Sequence, residues 1–190
     1  MAKSIRYEVL AAIVSLLACL PFSASSQTGK RMLVFSKTKA FRHKSIPAGQ
    51  EALLKLGAEN GIVVDTTENS AVFTEDNLGR YGAIVFLNTT GDILDAEQQS
   101  AFERYIQGGG GYVGIHAATD TEYEWPWYNK LSGAYFLSHP SNPNVQEGEA
   151  YAVNKNHPSM FGFPDRWKIK DEFYDFKSFN KDVNVLIKID

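Results

Sequence analysis

The sequence predicts a doubly wound α/β domain: a parallel sheet with helices on both faces. Three observations predict it. Short apolar runs recur at 31–35, 62–66, 83–88 and 112–115. Segments with helical periodicity separate several of them. The runs are apolar on nearly every residue instead of alternating, which marks strands covered on both sides, as a parallel sheet requires.

Each element follows from its residues. "RMLVF" (31–35) reads as a buried strand. Ser45 is placed to cap a helix with Pro47 in its first turn, and Ile46, Gly49, Leu53 and Leu56 share one face of it. Gly61 ends this helix and "IVVDT" (62–66) is the next strand. Thr74 followed by "EDNL" predicts one short helical turn, and "AIVFLN" (83–88) a third strand. Asp95 and Gln98 have the spacing of a capping box for a helix carrying Ala101, Phe102, Tyr105 and Ile106 on one side, ended by Gly108. "YVGI" (112–115) is the fourth strand. Beyond Trp125 the pattern weakens, with strand-like runs at 145–153, 166–176 and 183–189 between loops rich in Pro, Asn and Ser.

Lys3 and Arg6, the apolar run from Val9 to Leu20, and "PFSASSQ" (21–27) together read as a secretory signal peptide over residues 1–26. The expected protein is exported, periplasmic or extracellular. Cys19 in "SLLAC" offers a lipid anchor as the alternative form of processing. Cys19 is the single cysteine, so cleavage after Ser26 leaves no disulfide, thiolate metal site or cysteine nucleophile. Cleavage also removes Lys3, Arg6 and Glu8, a net +1, which takes the formal charge from −3 to −4. Lys and Arg are scattered without a basic stripe, which argues against nucleic acid as a partner.

Ligands of such a sheet bind outside the carboxyl ends of its strands. Those ends carry Lys37, Arg42 and His43 after the first strand, Thr89, Thr90 and Asp92 after the third, and His116 and Asp120 after the fourth. Each also has a structural reading: Thr-Thr-Gly-Asp is as readily a turn satisfying its own backbone, and Arg42 pairs as readily with a carboxylate. His139 lies in "FLSHP", and Glu172 and Tyr174 in "DEFYDF". Imidazoles with a carboxylate suit a divalent metal such as zinc, with His43, His116 and His139 as candidate ligands, although no HExxH spacing is present. Trp125, Trp127 and Tyr128 suit either a sugar-stacking surface or a hydrophobic cap over the sheet.

"VFSKTKAFRHKSIPAG", "VFLNTTGD", "GGGYVGIHAATDTEYEWPWY", "GAYFLSHP" and "DEFYDF", in this order, resemble the ThuA-like family, named for trehalose utilisation. The resemblance covers nearly all of residues 30–190. It implies a flavodoxin-like sheet similar to class I glutamine amidotransferases, a role in carbohydrate metabolism and, often, export. Gly114-Ile115-His116-Ala117-Ala118 falls where the amidotransferases have a Gly-x-Cys-x-Gly nucleophile elbow. With His116 in the cysteine's seat no thioester can form, so glutamine hydrolysis is excluded, and an imidazole there serves as general acid, general base or metal ligand. Family domains usually continue further, so the domain at 27–190 is expected to be incomplete at its C-terminus, with an exposed apolar edge that invites self-association.

The reading that follows is an exported carbohydrate-active protein, a hydrolase or isomerase, acting on a small sugar or oxidised sugar derivative. His116 is the expected acid/base group, oriented by Asp120. Arg42 and His43 bind or polarise a substrate oxygen, and Glu172 and His139 are further acid/base candidates, with His139 also a candidate substrate contact. Thr89, Thr90 and Asp92 hold hydroxyls, and Trp125 stacks on the sugar. The alternative is a non-catalytic sugar-binding or partner-binding module.

Overall fold

A computed structural model describes residues 31–190; the expected export signal at 1–26, with Cys19, lies outside the described residues. The first elements alternate as their sequence demands. They are β1 (Arg31–Phe35), α1 (Ile46–Glu59), β2 (Val63–Thr67), α2 (Glu75–Leu78), β3 (Ala83–Leu87), α3 (Ala96–Gln107) and β4 (Gly111–Ile115). The four strands form one parallel sheet in the order β2-β1-β3-β4. This is the doubly wound α/β fold.

Strands β1 and β3 lie in the middle because their side chains are apolar on both faces. Leu33, Phe35, Ile84 and Phe86 face one way, onto Phe73, Phe102 of α3 and Tyr128. The Phe86 and Phe102 rings stack with centroids 5.2 Å apart. Val34, Val85 and Leu87 face the other way, onto Leu53 of α1. Gly49 lets α1 approach this face, since a Cβ there would meet the Leu87 side chain at 2.9 Å. The expected face of α1 is narrower than its spacing suggests: Leu56 remains 53 % exposed. Ser45 also departs from expectation. It makes no capping bond, because its hydroxyl instead accepts from Asn88 Nδ2 at 2.8 Å and ties the start of α1 to the end of β3. The Asp95–Gln98 capping box is formed in both directions.

After β4 a single 3₁₀ turn (His116–Thr119) leads to α4 (Pro126–Ser132) and β5 (Tyr135–Ser138). The remainder is antiparallel. Strand β6 (Gln146–Ala152) pairs with β7 (Arg166–Asp171) and β9 (Ile187–Ile189), while β8 (Asp175–Lys177) pairs with β5. The run at 166–176 is therefore two strands and not one. The chain leaves one sheet after Asp171 and joins the other at Asp175. The link between them carries Glu172 and Tyr174. This portion has a thin core: within residues 139–190 only Ala150 and Met160 are buried.

Candidate functional site

The loops beyond β1, β3 and β4 are sewn together sideways. Thr38 bridges Thr90, and Gly91 bridges Thr121, continuing the parallel pairing past the strand ends. Lys39 N–H donates to the Thr90 carbonyl and Gly91 N–H to the Asp120 carbonyl, each at 2.8 Å. The Thr90 hydroxyl donates to the Phe41 carbonyl and accepts from Ala40 N–H. Thr89 and Thr121 share a hydroxyl–hydroxyl bond of 2.9 Å. Both Thr89 and Thr90 are fully buried, so the expectation that they hold substrate hydroxyls is corrected: their oxygens are already bonded, and they brace the loops. Asp92 is exposed beside them.

The brace positions two turns. His116 follows β4 with φ of 50°, a left-handed conformation uncommon for a non-glycine residue. Gly114 makes the tight turn feasible, since a Cβ there would lie 2.6 Å from the Tyr112 hydroxyl and 3.1 Å from Ala118 Cβ. His43 arrives on the loop between β1 and α1, and its ring meets that of His116 edge-on at 4.8 Å.

Glu172 and Tyr174 come down on these rings from the link between β7 and β8. Glu172 Oε2 lies 3.2 Å from His116 Nε2 and 3.9 Å from His43 Nε2. Glu172 Oε1 lies 3.7 Å from His139 Nε2 and accepts from Asn144 Nδ2 at 3.1 Å. The Tyr174 hydroxyl is 3.0 Å from His116 Nε2 and 3.4 Å from His43 Nε2. One carboxylate thus faces three imidazoles, and a phenol touches two of them. The cluster opens on a cleft of ≈ 780 Å³ lined in part by Gly114, His116, Thr119, Glu172, Tyr174 and Phe176.

Burial and the neighbouring His116 ring push the His43 imidazole below its usual value, which keeps it neutral near pH 7. Burial and the Glu172 carboxylate hold the Tyr174 phenol well above its usual range, so it stays protonated. The His139 tautomer follows from its partner. Nδ1 lies 2.8 Å from the Pro140 carbonyl, which can only accept, so Nδ1 carries a proton.

The structure brings together His43, His116, His139 and Glu172. It does not bring in the others. Asp120 does not orient His116: its carboxylate accepts from the Tyr123 hydroxyl at 2.6 Å instead. Arg42 is held by Glu68 through two bonds of 2.9 and 2.7 Å, so its guanidinium is occupied. Trp125 is no sugar platform. It stacks on Trp127 at 5.1 Å and on Tyr128 at 5.9 Å, packed against the core. The aromatic surfaces beside the cluster are Phe41, 67 % exposed and edge-on to His43 at 4.8 Å, and Phe176, 47 % exposed. Tyr174 had a legible signal: it lies two residues after Glu172, and side chains two apart in an extended segment share a side. Phe41 and Asn144 had none.

The left-handed elbow at His116, above the carboxyl edge of a parallel sheet, is the arrangement expected from the ThuA-like motifs, and the family model described as "ThuA: Trehalose utilisation" matches residues 31–190. The chain belongs to the ThuA family. A ThuA-like protein from Bacteroides uniformis shares its fold with a TM-score of 0.70 at 27 % identity, over 88 % of this chain and 71 % of that one. A second ThuA-like protein, from Parabacteroides merdae, gives a TM-score of 0.63 at 22 % identity, over 76 % of this chain and 62 % of that one, and shows the fold alone. No curated protein sequence matches the chain. Membership in the ThuA family carries a sugar-related role.

Proposed function

We propose that this ThuA-family chain is an exported enzyme that processes a small sugar or oxidised sugar derivative by proton transfer at the His116–Glu172–Tyr174 cluster. The observation that carries the reading is His116 Nε2, which has a carboxylate oxygen at 3.2 Å and a phenol oxygen at 3.0 Å at the edge of an open cleft. An imidazole beside a carboxylate can take a proton from a sugar hydroxyl or an acidic C–H and keep it, because the carboxylate stabilises the imidazolium. A phenol that stays protonated can donate to the oxygen on which negative charge develops. His43, neutral and edge-on to His116, adds no charge that would oppose protonation. Phe41 and Phe176 offer apolar faces on which a sugar ring can stack. The charge-then-apolar pattern at 1–26 supports export.

The test is turnover of a panel of disaccharides and their keto derivatives, with products identified by mass. Glu172→Gln and Tyr174→Phe should each lower turnover by on the order of a hundredfold, as loss of an acid/base group does. Binding of the same sugars without any product would reassign the chain to a sugar-binding module. Full activity in both variants would remove the cluster from the chemistry.

A further inference from the structure

The carboxylate of Glu172 is poorly matched by the charges around it. Among the described residues the side chains near it that can carry positive charge are the three imidazoles, with no lysine or arginine. Its side chain is only 17 % exposed. His139 Nε2 lies 3.7 Å from the other carboxylate oxygen, Glu172 Oε1. Two imidazole nitrogens and a carboxylate oxygen gathered this closely are the converging donor atoms that a divalent cation requires.

We infer that His43 Nε2, His116 Nε2 and Glu172 Oε2 form a three-ligand site for a divalent transition metal of zinc's chemistry, open on its fourth side to the cleft. One ligand atom from each of these residues lies within 4.8 Å of the other two. Bond lengths of 2.0–2.1 Å in a tetrahedral site place ligand atoms about 3.3 Å apart. The His116–Glu172 edge is already 3.2 Å, and the His43–Glu172 edge, at 3.9 Å, needs a shift of well under an ångström. Two imidazoles and one carboxylate favour zinc or a neighbouring transition metal over magnesium or calcium, which prefer all-oxygen shells. Three protein ligands with one open position is the pattern of a catalytic metal; structural zinc is closed by four. The Tyr174 hydroxyl, 3.0 and 3.4 Å from the two nitrogens, stands beside the open position and can hydrogen-bond an oxygen held there. Of the candidate ligands His43, His116 and His139, this site takes the first two, with Glu172 as the third. The inference rests on the same cluster as the proton-transfer reading. With the ion bound, His116 Nε2 and Glu172 Oε2 would serve as ligands, the ion, a Lewis acid, would stabilise charge at the substrate oxygen in place of a protonated His116, and the Tyr174 phenol would remain the proton donor.

The full chain is stripped with a chelator and titrated with zinc by calorimetry, then with cobalt followed by visible absorption, with magnesium as a control. One equivalent of zinc should bind, cobalt should give the intense bands of low coordination, and magnesium should not compete. His116→Ala and Glu172→Gln should each weaken zinc by at least about tenfold, while His157→Ala, a histidine outside the cluster, should leave it unchanged. Circular dichroism verifies that each variant is folded, and His43→Asn substitutes for one that is not. Absence of stoichiometric zinc on the parent, or equal zinc affinity in all folded cluster variants, would overturn the inference. Zinc binding without sugar turnover would overturn only the enzymatic reading; turnover unaffected by chelation, on a chain that binds no zinc, would overturn only the metal.

Discussion

His116 sits in a backbone conformation that most side chains avoid, with φ of 50°. For an L-residue that costs on the order of 1 kcal/mol, a cost glycine escapes. His116→Gly should therefore melt above His116→Ala, although both lose the imidazole and both should lose turnover to a similar extent. Thermal unfolding of the two variants side by side checks this; equal melting temperatures would mean that the turn carries no strain. Glu122 is a second strained residue, with φ of 57° and 1 % exposure. Its Oε1 accepts from the backbone N–H groups of Ile93 and Leu94, each at 2.8 Å, and its Oε2 accepts from Gln99 at 2.7 Å. Burial raises its pKa above the usual 4.5 despite these bonds. A raised carboxyl stabilises the fold below its unfolded value and loses that contribution as pH rises through the folded value. Glu122→Gln keeps the accepting oxygen and never ionises, so its stability relative to the parent should increase as pH rises from 4.5. Glu122→Ala strands two buried donors and should cost about 2–5 kcal/mol at any pH. Denaturant titrations across pH separate the two.

Among the elements, the sideways bridges between loops do the positioning. Thr90→Val keeps the shape and removes both hydroxyl bonds to the Ala40–Phe41 backbone, two residues from His43. It should cost about 1–3 kcal/mol of stability and lower turnover more than a substitution equally destabilising but far away, such as Asp95→Ala at the capping box of α3. Similar losses of turnover in the two would show that the bridge does not position His43. These bridges also mark how far the sequence could be read. The parallel strands, the capping box and the strand-end histidines were legible because periodicity, capping chemistry and chain order are local signals. Thr89 and Thr90 looked like substrate contacts because a hydroxyl at a strand end is the same residue whether it faces a sugar or another threonine. Trp125 was ambiguous for the same reason, since an indole covers a core as well as it stacks on a sugar. The meeting of Glu172 with His43 and His116 depends on a crossing between two antiparallel pairings more than 50 residues from the elbow, and no local pattern encodes it.

For the molecule as a whole, stability is unevenly shared. The parallel sheet and the elements packed on it hold most of the buried apolar side chains, whereas residues 139–190 contribute only Ala150 and Met160. Regions with few buried contacts open at lower free energy than the core. In native-state hydrogen exchange, amides of β6, β7 and β9 should exchange well before those of β1 and β3, and exchange at equal rates would contradict this division. His43 and His116 belong to the firm part, whereas Glu172 and Tyr174 hang from the soft part.

That division makes the cluster a clasp between two parts of unequal rigidity. Any small molecule or ion that engages both sides must hold the soft part closed, and by mass action it raises the temperature at which that part lets go. The protein can then be screened for its own substrate without knowing the reaction: a dye-reported unfolding scan across a library of sugars and metal salts should single out compounds that bridge the clasp, and Glu172→Gln should respond less to the ions among them.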